Sequence, residues 1–454
     1  HRLGRRVGGD RLRLYPVRER DGRIEIDLAD PPPETVIADA LAALVESFDD
    51  HEYDRMAREI ARAEKAGADP HMALTHAIRA TADRFEFGAS HALPASADWL
   101  ALSKAVAGDD PAKRLVAVLE GVAHFAWDSR RAPRYPYAAG VADWDAEAFR
   151  AAVEAEDEAA ALAHVRGALK RGFGWGDIEP AFARAALDHY ADFGHSAIYS
   201  YKTRQLVAAL DPDAEGLEAI LSLLTRSLVM ATREDLIPEF KAYAPALERY
   251  GEGAEGLPAV ETLATGSVRK VLAAIADSGA EPLALYDRLV EAAAWQMLHF
   301  DLAWDRQTDG SFSQNVGWLD FTHALTFANA VRKLAERTPE IWPAGLLQIG
   351  CFLGRNAAYI DRSLDTAAWR VDDLNGFYRA GLEGLFDHDQ FELIVSAHLL
   401  KLTVALDEER RERPDAPWHG TAAAALNRLL ASPLRRKHPL RTAKQSLAFV
   451  AAEG

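Results

Sequence analysis

The chain has 454 residues, 49% of them apolar and 27% charged, with a formal net charge of −17. That length exceeds what one small core requires and allows two or three domains or one large helical one. The acid excess argues against a nucleic-acid or anionic-membrane partner. A single cysteine, Cys351, excludes an intrachain disulfide and any cysteine-rich zinc site. With no run of about 18 apolar residues, and no apolar segment behind the basic N-terminus, the expectation is a soluble, cytoplasmic protein.

The first 20 residues carry seven arginines against Asp10 and Glu19. Residues 12–18 and 23–28 alternate apolar and polar around Asp21-Gly22, a hairpin signal. The Tyr15-Pro16-Val17 run, the charged residues after it and the Asp-Gly turn resemble the closing hairpin of a Rieske [2Fe-2S] domain. That resemblance implies an electron-transfer partner or donor domain among relatives. A Rieske cluster needs two cysteines and two histidines. The cysteines are missing and His1 could supply only the last ligand, so no intact [2Fe-2S] cluster is expected in this chain.

Pro31-Pro32-Pro33 reads as a stiff linker. From Glu34 the apolar spacing predicts helices over 34–48, 51–66, 71–85, 93–107, 111–126, 146–171 (with a break), 177–191, 196–210 and 215–231. It continues with 238–250, 259–277, 282–300, 317–337, 342–355, 373–384, 389–407, 418–431 and 440–452. The expected fold is all-α, a large multi-helix domain over residues 34–454, with a short N-terminal β-hairpin within residues 1–30.

Gly-rich phosphate loops, His-Glu-x-x-His, Cys-x-x-Cys and Gly-x-Ser-x-Gly are all absent. What remains is a set of histidines in apolar or aromatic surroundings. The run from Phe391 to Leu406 is apolar on nearly every side except for His398 and Lys401, which share a face at a spacing of three. A buried ammonium costs several kcal/mol unless it is paired or neutral. Lys401 therefore either snorkels to the surface, meets a carboxylate, or serves a site. His323 lies in Asp320-Phe321-Thr322-His323, where Asp320 could orient the ring. His195 follows Gly194 at a helix start, with Tyr199 and Tyr201 behind it. His91 stands at the entrance to another apolar helix. Each could instead be a core or capping histidine. His51, His71, His164, His388, His419 and His438 sit in polar or terminal settings and are expected to be solvated.

The segments "SHALPAS", "GHSAIYSY", "DFTHALTF" and "AHLLKLTVAL" together resemble the questin oxidase-like family. The family comprises helical oxygenases acting on anthraquinones and related polyketides, with non-haem iron held by histidines and a lysine carboxylated on its amine. The resemblance implies metal ligation by His91, His195, His323 and His398, with Lys401 as the carboxylated lysine. The chain departs from the family pattern at Ser196, at Tyr199 where a second histidine is expected, and at Pro94. The resulting expectation is an Fe(II)-dependent oxygenase using dioxygen on an aromatic, quinone-like or polyketide molecule. Zn(II) is the alternative metal, because it accepts the same ligands. Tyr199, Trp318 and Phe321 are expected to line the substrate pocket, with Phe327 and Trp295 as further aromatic candidates. The competing expectations are a non-catalytic helical scaffold and a zinc- or haem-dependent helical enzyme.

Overall fold

The computed structural model describes residues 15–254, 256–311, 314–434 and 438–452. Its fold is all-α, 69% helical, with one two-stranded antiparallel hairpin at the N-terminus. Strands β1 (Val17–Arg20) and β2 (Arg23–Ile26) pair with Val17 opposite Ile26. Asp21 and Gly22 both adopt positive φ (53° and 71°), as a tight two-residue hairpin turn requires. The hairpin leaves Val17, Ile24 and Ile26 exposed. The earlier part of the expected first strand, and His1, lie outside the described residues.

The helices run α1 (Pro33–Glu46), α2 (Tyr53–Lys65), α3 (Met72–Thr81), α4 (Ala92–Leu102), α5 (Pro111–Asp128), α6 (Ala146–Glu154) and α7 (Glu158–Lys170). Next come α8 (Trp175–Asp188), α9 (His195–Leu210), α10 (Ala214–Val229), α11 (Tyr243–Glu248), α12 (Val260–Thr265), α13 (Val268–Ala276) and α14 (Pro282–Leu298). The last seven are α15 (Leu302–Arg306), α16 (Trp318–Ala335), α17 (Trp342–Asn356), α18 (Leu374–Gly384), α19 (Leu393–Glu412), α20 (His419–Leu430) and α21 (Pro439–Ala452). None of the described helices is long and apolar enough to cross a membrane.

Many starts are written in the sequence as aspartate caps. Asp110, Asp145, Asp157, Asp213 and Asp373 each accept a hydrogen bond from a backbone N–H of the first turn. Two expected helices are divided. The span 259–277 breaks at Gly266-Ser267 into α12 and α13, and 238–250 keeps only α11 behind short 3₁₀ turns. The short α15 was not expected.

Four helices close a cycle around the centre of the core. α4 packs on α9, α9 on α16, α16 on α19, and α19 back on α4. Apolar side chains such as Leu93, Ile198, Phe327 and Leu402 fill the interior. Two buried ion pairs interrupt it. Lys202 on α9 reaches Asp98 on α4 at 2.7 Å, and Arg332 on α16 reaches Glu409 on α19 at 2.8 Å. Each joins neighbouring members of the cycle, so the polar contacts fix which helix faces which.

Candidate metal centre

His195, His323 and His398 lie on α9, α16 and α19, His91 stands immediately before α4, and the four rings form a near-square. Ring centroids are 4.8 Å apart for His91–His195, 4.6 Å for His195–His323, 4.8 Å for His323–His398 and 4.8 Å for His398–His91. The His91–His323 diagonal is 6.2 Å. The Nε2 atoms point inward. His195 Nε2 stands 3.1 Å from that of His91 and 3.0 Å from that of His323, which is 3.3 Å from that of His398. Ligand atoms of His91, His323 and His398 all lie within 4.8 Å of one another. Metal–imidazole bonds are about 2.0–2.1 Å, so nitrogens sharing one ion sit roughly 3–4 Å apart.

Three of the rings are held from behind. Nδ1 of His323 donates to the Leu319 carbonyl at 2.6 Å, Nδ1 of His398 to the Ile394 carbonyl at 2.6 Å, and Nδ1 of His195 to the Asp192 carbonyl. A carbonyl can only accept, so the proton is on Nδ1, and in the neutral ring Nε2 carries a lone pair. Backbone acceptors at Nδ1 commonly orient histidine ligands in this way. Burial pushes His91, His323 and His398 well below the ordinary 6.5, and His195 down to about 4. For His91, His323 and His398, repulsion from neighbouring rings and from Lys401 adds to that effect. The square is therefore built from neutral imidazoles, and in His195, His323 and His398 the Nε2 lone pairs converge.

Local backbone explains two of the placements. Asp192, Phe193 and Gly194 are three consecutive residues in the left-handed region, with φ of 45°, 51° and 82°. For a bulky residue such as Phe193 this conformation is unfavourable and must be held by its surroundings. Asp192 provides that hold, since its N–H donates to the Thr232 carbonyl and its Oδ1 accepts from the Thr232 N–H, both at 2.8 Å. The turn starts α9 at His195. A Cβ on Gly194 would lie 2.5 Å from the Phe327 ring. His91 is placed by the loop before α4. There Ala89 N–H bonds the Leu223 carbonyl, and Ser90 Oγ donates to Asp128 Oδ2 at 2.6 Å.

Lys401, one turn beyond His398, is 1% exposed, and its Nζ has no hydrogen-bond partner. Burial pushes its amine down to about 8, against the pull of Asp98 and with a further push from Lys202. The Asp98 carboxylate is already paired with Lys202, so Lys401 is left without a counter-ion.

The aromatic candidates separate. Tyr199 stands beside the square, 5.4 Å from His195 and 6.1 Å from His91 between ring centroids. Trp318 borders a cavity at the start of α16. Phe321 packs on Phe300 at 4.7 Å and Phe327 on Phe352 at 5.4 Å within the core, while Trp295 stacks on His299 at 4.0 Å. Asp320 does not orient His323. It caps its own helix at the Gly317 N–H and pairs with Arg355, because the Leu319 carbonyl is nearer the ring. Nor are three supposedly solvated histidines free. His51 bonds the Ala123 carbonyl, His388 bonds Glu120, and His419 bonds the Arg413 carbonyl. Sequence reasoning missed the Asp98–Lys202 pair, although a lone acid in the apolar run Ala92–Leu102 was a visible signal. His124, which the sequence pattern did not single out, is 2% exposed and has Nε2 3.4 Å from Asp128 Oδ2.

No family model, no curated protein and no solved structure matches the chain.

Proposed function

We propose that the chain is a non-haem metal-dependent oxygenase acting on a small aromatic molecule, with Fe(II) held by His91, His195, His323 and His398. The observation that carries this reading is the meeting of His195 and His323. Their Nε2 atoms are 3.0 Å apart while each Nδ1 is bonded to a carbonyl. Two facing lone pairs repel unless a cation lies among them. All-nitrogen ligation with room for an oxygen donor suits Fe(II), Cu(II) or Zn(II). The oxygenase reading rests on the questin oxidase-like segments, which select iron from that group. The ring spacing leaves no room for a haem among the four imidazoles.

Lys401 fits the same site. A neutral buried amine attacks carbon dioxide, forming an N–C bond and losing one proton to solvent, and becomes a carbamate. The orphaned nitrogen becomes an anionic oxygen donor beside the four imidazoles. Lys202, held by Asp98, then offers a cation nearby. Bound iron would supply dioxygen activation. The chain's own residues hold the imidazoles neutral and aimed, and exclude bulk water with apolar helices.

Metal analysis of protein purified without chelators tests the assignment. Stoichiometric iron in the wild type and its loss in His323→Ala are the expected results. Wild-type protein that takes up neither iron nor another divalent ion overturns it, and zinc in place of iron moves the reading to a hydrolase.

A further inference from the structure

Outside the histidine square, one cavity joins an unpaired cation to a wall of the candidate centre. About 190 Å³ of space is bounded by Trp318, Leu319, Val395, Leu434 and Arg441, where α16, α19 and α21 begin. Leu319 lies one turn before His323, and its carbonyl is the acceptor that holds that ring. Val395 lies one turn before His398. Side chains on a helix lean toward its N-terminus. The two imidazoles therefore incline toward the helix ends that border this cavity.

The polar lining is unbalanced. Arg441 Nη1 is buried without a hydrogen-bond partner, and Arg441 makes no ion pair among the described residues. The acidic residues of the wall are committed elsewhere. Asp320 holds the Gly317 N–H and Arg355, and Asp305 is likewise engaged. A buried charged donor left unsatisfied costs more than the roughly 1–3 kcal/mol of a neutral one. A carboxylate arriving there recovers that cost and gains a charge-assisted pair. Size narrows the choice further. A cavity of about 150 Å³ takes up benzene, so the space here accommodates one ring with its acid group, while three fused rings would extend through its open side into solvent.

Resting on the oxygenase reading above, we infer that this cavity is the substrate chamber and that it selects a one-ring aromatic acid. The carboxylate pairs with Arg441 and the ring lies along Trp318, beside Leu319 and Val395, which stand one helical turn before His323 and His398. The specificity is thus for a benzoate-like anion, smaller than the quinones that the sequence resemblance suggests.

Calorimetric titration of the full chain with benzoate, and with benzyl alcohol as a neutral match in shape, tests this. Benzoate should bind wild type and bind at least tenfold more weakly to Arg441→Gln, with partial recovery in Arg441→Lys. Benzyl alcohol should not distinguish these three proteins. Leu434→Trp, which fills the space without changing charge, should abolish binding of both. Failure of the wild type to bind benzoate at millimolar concentration overturns the inference. So does equal binding by Arg441→Gln, or full binding by Leu434→Trp. Metal content is read separately on the same samples. Benzoate binding without metal leaves an acid site and removes the oxygenase reading. Metal without Arg441-dependent binding removes the chamber alone.

Discussion

His195 and His323 face each other across 3.0 Å, nitrogen to nitrogen, from helices whose sequence positions are 128 residues apart. Each is tethered behind by a main-chain carbonyl, so neither ring can turn away without breaking a buried hydrogen bond. A metal that binds the folded square and not the unfolded chain stabilises it, by about 2.7 kcal/mol at a free concentration of a hundred times Kd. Thermal unfolding should therefore shift upward with added Fe(II) and downward with chelator. Both shifts should vanish in His195→Ala.

Lys401→Met separates a stranded amine from a ligand. Removing an unsatisfied buried nitrogen while keeping the side-chain shape is neutral or stabilising for the metal-free protein. The variant should match or exceed wild type in urea unfolding under chelator. It should nonetheless retain less metal. A carbamate resonance after growth or incubation with ¹³C-labelled bicarbonate should be present in wild type and missing from the variant. Equal metal retention by both proteins would leave Lys401 outside the ligand set.

The turn before α9 gives a backbone test. Gly194→Ala places a Cβ 2.5 Å from Phe327 at φ of +82°. Strain of this kind costs of order 1–3 kcal/mol. Because His195 follows directly, the variant should lose metal affinity as well as stability. A variant that loses stability while keeping full metal content would show that the turn does not position the ring.

His189 supplies a pH dependence remote from the histidine square. Hydrogen bonds to Glu234 and Glu154 raise its ring from the ordinary 6.5 to about 9, against the opposing effect of burial. The folded value lies above the unfolded one, so the protonated ring's contribution to stability is complete below about pH 6.5. It is lost as pH rises through about 9. His189→Gln should be less stable than wild type at pH 6, and the two should converge by pH 10 in denaturant titrations.

The Arg332–Glu409 pair predicts a contrast between single and double replacement. Arg332→Met leaves the Glu409 carboxylate buried beside Asn329 with its principal partner gone, and should cost about 3–5 kcal/mol. Arg332→Met with Glu409→Leu removes both charges and should recover most of that loss, as measured by urea unfolding.

Much of the helical frame was legible because its punctuation is local. Asp110-Pro111, Asp145 and Asp213 mark starts wherever tertiary packing takes the helix. Ser267 carried a similar signal after Gly266 and was overridden by the apolar spacing on either side. His398 and Lys401 were conspicuous because a polar group in an apolar helix needs a reason. The carbonyl tethers were not legible, since every helix offers a carbonyl one turn back and only ring orientation decides its use. The commitment of Asp320 to its own cap depends on Arg355, 35 residues away, and no local pattern encodes that. The unpaired Arg441 was equally invisible, because a missing partner shows only after the chain has folded.

His91 precedes α4 and His195 is the first residue of α9. The starts of two helices therefore meet at the centre, each bearing a fraction of a positive charge on its free N–H groups. An ion held there feels that field at both ligands. That field alone would favour the lower oxidation state of a bound ion, against the opposite pull of an anionic carbamate on Lys401.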